Sequence, residues 1–370
     1  MKRINFLRTL AAGGFGTSVF NPSTSASVIK PVKRVLMKVG CQSGDTSEEN
    51  LMLKSRCGVY NIDGDAPATV PGKGWDLEDS LRKKEACEKY GISLDAYHWP
   101  LSSSGIDKQV YPNIMLGKSP ERDREIEILQ QMITVAARTG IKVLNYNTTI
   151  LKVERTSRTR DLKRGNAEYS TWNYQEALKS PGGKTIAGDV GIEEIFDRIS
   201  YMLERVLPVA EEYKVKLANH IADPPIPHAY KGIMRWNSPD VFKGIKRFAQ
   251  LSNSPYHGFN FCIGSIAEGL NDPAVEILPI IKWVGDRNQI FNVHLRNIKG
   301  GYNNFQEVYP DNGVLNYIKC IRALRDVGYD GMVMPDHVPY HSDPNANSQS
   351  FAFCYGYIKA IIQAVSEESV

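Results

Sequence analysis

The sequence predicts a single (β/α)8 barrel of the TIM type, with an insertion after the fourth strand. Three observations predict it. Short apolar runs alternate with longer amphipathic ones from Arg34 onward, and a βα rhythm implies parallel strands. Eight strand candidates occur in the chain, the number that closes such a barrel. An open doubly wound sheet would usually carry a Gly-rich phosphate turn after its first strand; VGCQSG at 39–44 lacks that spacing and a clear helix start. The 370 residues suit one barrel with insertions. The expected division is residues 1–30 as a leading segment and 31–370 as one barrel domain.

RVLMKVG (34–40) is the first strand candidate, and CGVYNI (57–62) the second. A helix follows over 76–90, with Leu77, Leu81, Ala86 and Cys87 toward the core. ISLDAYHW (92–99) is the third strand. Ser119-Pro120-Glu121 reads as a helix start, with Ser as cap and Pro at the first helical position. Ile126, Leu129, Met132, Ile133 and Ala136 then recur at helical spacing, and Gly140 ends the helix. IKVLNY (141–146) is the fourth strand. The polar, basic stretch 147–190 breaks the rhythm. A connection that long is usually functional or disordered, and it is expected to cover the active face. Helices over 191–213, 239–251, 273–284, 313–326 and 350–365 then separate or follow strands at 216–219, 258–262, 290–294 and 331–335.

Composition is that of a soluble globular protein, 42% hydrophobic and 23% charged. A formal charge of +4 with no basic run interleaved with aromatics gives no argument for nucleic acid. The most basic region, Lys152–Arg164, reads as a solvated or substrate-facing loop. Six scattered cysteines without a CxxC pair predict free thiols, mostly buried. Lys2, Arg3 and Arg8 precede a mild apolar run and a polar stretch with a candidate cleavage site near Ala26. RINFLR at 3–8 is similar to a twin-arginine export signal with Ile4 in place of the second arginine. The expectation is export to the periplasm, with a cytoplasmic tail as the alternative. No stretch reaches 18 apolar residues, so no stable membrane insertion is expected. A homo-oligomer is compatible with this sequence, which does not specify one.

Four strand-like runs end on or near residues that bind metals: His220 in KLANH, Cys262 in FNFCIGS, His294 in IFNVH and Asp336 in MVMPDH. The loops after parallel strands form the active face of a barrel. The separations are 42, 32 and 42 residues, against roughly 30 for one βα unit. One donor from each of strands five to eight is the simplest reading, because neighbouring strand ends lie about 5 Å apart. Two imidazoles, a thiolate and a carboxylate complete a set for a divalent transition metal, and the thiolate disfavours Mg and Ca. The residues alone leave Mn, Fe, Co and Zn open. Arg296 lies two residues beyond His294, on the same side of an extended chain, and could fork onto a substrate carboxylate. Its plain alternative is a surface ion pair. His337 could act as acid or base beside Asp336. His98 is a pocket or packing residue, and Asp223 turns the loop after His220.

At these residues the chain resembles the mannonate dehydratase family. The likeness is carried by NHIADPP (219–225), FCIGS (261–265), VHLRNIKGG (293–301), YIKCIRALRDVGYDG (317–331) and MPDH (334–337). The resemblance implies a TIM-type barrel holding a Mn or Fe ion on His220, Cys262, His294 and Asp336. It also implies loss of water from a sugar acid, D-mannonate, to give 2-keto-3-deoxygluconate in hexuronate breakdown. By the same resemblance His337 transfers a proton and Arg296 orients the substrate. The stretch 344–357 departs from the family, carrying neither its Gly-Tyr nor its Gly-Arg pair clearly, so the expected tyrosine and arginine are missing there. Two alternatives share the fold: a metal-dependent sugar isomerase or epimerase on a xylose-isomerase-like barrel, and a non-catalytic exported sugar-binding barrel.

Overall fold

Eight short runs with β-branched and apolar residues on at least one face pair in parallel and close on themselves. In this computed structural model, which describes residues 32–368, they are β1 (Lys38–Gly44), β2 (Asn61–Gly64), β3 (Ser93–His98), β4 (Val143–Tyr146), β5 (Lys216–His220), β6 (His257–Cys262), β7 (Ile290–His294) and β8 (Met332–Met334). Each strand pairs with its sequence neighbours, and β1 pairs with β8 to close the barrel. The export segment expected over 1–30 lies outside the described residues. Among the described residues no helix is long and apolar enough to cross a membrane. All six cysteines are free.

Helices surround the barrel as the amphipathic runs require. Ile195, Phe196, Ile199, Met202, Leu203, Val206, Leu207 and Ala210 form the buried face of the helix Ile192–Tyr213. Two local readings are corrected. The helix expected to start on a capping Ser119 begins at Glu121 after Pro120, without a side-chain cap; the Ser119 hydroxyl instead accepts from Arg122 Nη2 at 3.1 Å. A helix, Glu48–Arg56, also stands between the first two strands and displaces their expected boundaries by about four residues at their starts. It buries only Leu51 and Lys54, so it shows no apolar stripe.

Register sets the layers inside the barrel. Paired residues of parallel strands share a face. Ala96, Val143, Met332 and Met334 form a small apolar plug, and a Cβ on Gly40 would lie 2.7 Å from Met332 Cβ. Above the plug the layer is polar: Asp63, Asn145, Asn260 and Asn292 are fully buried. Asn145 donates to Asp63 at 2.9 Å and Asn292 to Asn260 at 3.2 Å. Side chains alternate in a strand, so the position two residues beyond each points the same way. Those positions include Cys262 and His294, with His220 registered beside Asn260.

The insertion carries secondary structure. Ser157–Asp161 and Ala167–Asn173 form an antiparallel hairpin that pairs with a second hairpin, Asn297–Gly301 and Asn304–Val308, directly after β7. Glu168 also bridges Tyr340 beyond β8. The sheet therefore joins loops that leave β4, β7 and β8 at the same end of the barrel.

Candidate metal centre

His220, Cys262, His294 and Asp336 meet at that end. One donor atom from each lies within 4.8 Å of all the others. Cys262 Sγ is 3.4 Å from Asp336 Oδ2, and His294 Nδ1 is 3.7 Å from Asp336 Oδ1. The rings of His220 and His294 are 5.1 Å apart at their centroids. His220 Nδ1 sits 2.7 Å from the Ile221 carbonyl, so as a donor there it leaves Nε2 for an ion. His294 is fully buried and neither ring nitrogen has a hydrogen-bond partner. A buried imidazole without partners is costly, and a metal ion relieves that cost.

Electrostatics agree with the donor set. Burial lowers the pKa of His220 and holds His294 well below the usual range, so both are the neutral, ligating form. Burial would raise Asp336, but the charges of His337 and Arg296 beside it hold its carboxyl well below the usual range. Burial pushes the Cys262 thiol well up, as expected of a sulfur that ionises only against a cation. Cys262 also caps the short helix Ile263–Ala267, accepting from Ser265 N at 3.3 Å. These two imidazoles, sulfur and carboxylate fit a divalent transition ion.

Arg296 has different partners from the expected ones. Its side chain is 0% exposed. Nη1 donates to Asp336 at 2.8 Å; Nη2 donates to Asp223 at 2.6 Å, Glu268 at 2.8 Å and Ser265 at 2.9 Å. Neither a substrate fork nor a surface pair describes it: both Nη atoms are engaged by the protein. A Cβ on Gly264 would lie 2.5 Å from Arg296 Nε and 2.7 Å from its Cβ, so the glycine of FCIGS makes room for this arginine. Arg155, from the basic stretch read as a loop, also turns inward. It donates to Asp223 at 2.7 Å and pairs with Glu307 and Glu268. Burial would raise Asp223, but Arg155 and Arg296 hold it well below the usual range. Burial and the Asp223 carboxylate push Glu268 well above its usual range.

His337 is 39% exposed at its side chain and stands on Glu307. Its Nδ1 is 2.7 Å from Glu307 Oε1 and 2.7 Å from Arg296 Nη1. Burial lowers its pKa, but Asp336 and Glu307 raise it further, leaving it above the ordinary value. Burial would raise Glu307, but Arg155, His337 and Arg296 bring it down to about 2. His98 pairs with the buried Asp63 at 2.7 Å. Asp223 does more than turn a loop. The partners missed in the sequence are Arg155, Glu268 and Glu307. Glu307 sits on the unforeseen hairpin, and only the spacing of Glu268 in CIGSIAEG hinted at an inward face. Asp336 and His337 also line a cavity of about 490 Å³ with Tyr355, a buried residue of the closing helix Ala346–Glu367. Tyr355 thus lies on this wall, within the stretch 344–357.

Comparison with known proteins identifies the family. The family model for D-mannonate dehydratase (UxuA) matches residues 46–180 and 184–367. The mannonate dehydratase of Thermotoga petrophila is 30% identical over 312 residues, covering 76% of this chain and 82% of the relative. That of Shouchella clausii is 31% identical over 299 residues, covering 72% and 78%. The crystal structure of mannonate dehydratase from Streptococcus suis serotype 2 superposes with a TM-score of 0.72 at 23% identity, covering 90% of this chain and 95% of that one. A D-tagatose 3-epimerase-like protein shares the fold at a TM-score of 0.57 and 17% identity, over 90% of this chain and 100% of that one. With the family model spanning nearly all of the barrel, this chain belongs to the D-mannonate dehydratase family.

Proposed function

We propose that this protein is a metal-dependent hydro-lyase that converts D-mannonate to 2-keto-3-deoxygluconate, with Mn or Fe held by His220, Cys262, His294 and Asp336. The observation that carries the reading is the convergence of these four donors around an imidazole, His294, with no other partner. Its support includes the names of the relatives above.

The reaction removes the proton on C2 and the hydroxyl on C3, and the resulting enol rearranges to the ketone. When bound, the ion supplies Lewis-acid stabilisation of the negative charge that develops beside the substrate carboxylate. His337 moves the proton. With Nδ1 protonated, it donates to Glu307 and leaves Nε2 as the base. Taking the proton gives an imidazolium whose Nδ1–H stays on Glu307 and whose Nε2–H is the acid that protonates the leaving hydroxyl, returning the neutral ring. Both forms keep the Glu307 contact at 2.7 Å, which suits a group that alternately takes and gives a proton. Glu307 and Arg296 position the ring, and Arg155 and Asp223 hold those two in place.

The test is a keto-acid assay with D-mannonate on protein reconstituted with Mn or Fe. Formation of one keto-acid per mannonate consumed is expected. Full metal loading without keto-acid would refute the lyase reading.

A further inference from the structure

Lys54 is a buried position of the helix Glu48–Arg56, with 7% of its surface exposed. Lysines are almost never buried to this degree without a paired charge. Here the Tyr355 ring lies 5.2 Å from Nζ, and the Cys41 thiol is the other neighbour. Among the described residues no carboxylate pairs with Lys54. The lysine opens on the cavity that Asp336 and His337 also line, with Asn50 and Asn347 on the same wall. The carboxylates there are already engaged: Asp336 with Arg296, and Asp45 with the Ser47 amide at 3.0 Å. The cavity thus contains one buried cation lacking a counter-charge, on a wall shared with the group assigned to proton transfer.

We propose that Lys54 receives the carboxylate of the sugar-acid substrate. This rests on the reading of the site as a sugar-acid hydro-lyase and names the residue that recognises the acid. A substrate carboxylate supplies the charge that the protein leaves out, and it is attached to the carbon that loses its proton. Holding it in the cavity keeps C2 in the compartment of His337. The unpaired ammonium costs the free protein stability and is retained for binding.

That cost separates a binding lysine from a structural one. Lys54→Met conserves length and removes the charge, so it should raise the melting temperature; a lysine that holds the fold together would lower it. Binding is read in a His337→Asn background loaded with Mn, where D-mannonate is held without turnover, by calorimetric titration. Adding Lys54→Met should weaken D-mannonate about 10- to 100-fold, the worth of a charge-assisted hydrogen bond. It should leave the affinity for neutral D-mannitol unchanged, however weak. Lys54→Arg should recover part of the loss. An unchanged D-mannonate affinity, an equal loss for both ligands, a lowered melting temperature, or no D-mannonate binding before Lys54 is altered would each overturn the assignment. Failure of the lyase reading looks different: wild-type protein would bind D-mannonate in a Lys54-dependent way and form no keto-acid.

Discussion

Arg296→Leu is expected to be the most destabilising single substitution in the barrel, lowering the melting temperature by roughly 5–15 °C. The arginine is fully buried and contacts Asp223, Glu268, Glu307 and Asp336. Removing it leaves Arg155 to face three of these carboxylates and leaves Asp336 without an arginine. Breaking a buried ion pair by deleting one partner typically costs about 3–5 kcal/mol, because the remaining charge stays desolvated. Thermal unfolding monitored by circular dichroism measures the effect. A change within a degree or two would mean that the network carries little of the fold. Lysine at this position should rescue only part of the loss, because a single ammonium cannot reproduce the two-pronged contact of a guanidinium.

His337→Asn is expected to give the largest loss of activity without loss of the ion. The side chain is partly exposed, touches the buried network through Glu307 and Arg296, and is not one of the four donors. Turnover should fall about 100- to 10,000-fold, the usual worth of a general acid or base. Metal content and melting temperature should stay close to wild type. Glu307→Gln should reduce turnover less, because the ring keeps its contact with Arg296. Single-turnover and steady-state kinetics check both, since a rise in KM with kcat unchanged would place His337 in binding and not in proton transfer.

Much of this architecture can be read from the sequence, for a local reason. A barrel strand buried on both faces needs a short apolar run, and the run that ends on His294 is visible as such. The four donors follow because strand ends in a closed parallel barrel converge whatever lies between them. Elements that break the apolar pattern were not legible. Helix Glu48–Arg56 buries a lysine where a leucine would have revealed it. The hairpin that carries Glu307 is polar and turns at Tyr302-Asn303, with Asn303 at a φ of +67°. The ion network was hidden more deeply. Arg155 and Glu307 are 152 residues apart, and only the packing of the insertion hairpin against the hairpin after β7 brings them together. Arg296 shows the limit of reading from position: it lies beside the centre, as expected, but its charge is spent on the protein's own carboxylates.

The most direct test of the central claim is the metal content of the purified protein, by elemental analysis after Mn or Fe reconstitution and exhaustive dialysis, alongside Cys262→Ala. Four converging donors predict about one equivalent of divalent metal in the wild type and its loss in the variant, with the barrel still folded by circular dichroism. A metal-free wild type after reconstitution, or undiminished binding in Cys262→Ala, would contradict the assignment and return Cys262 to the core.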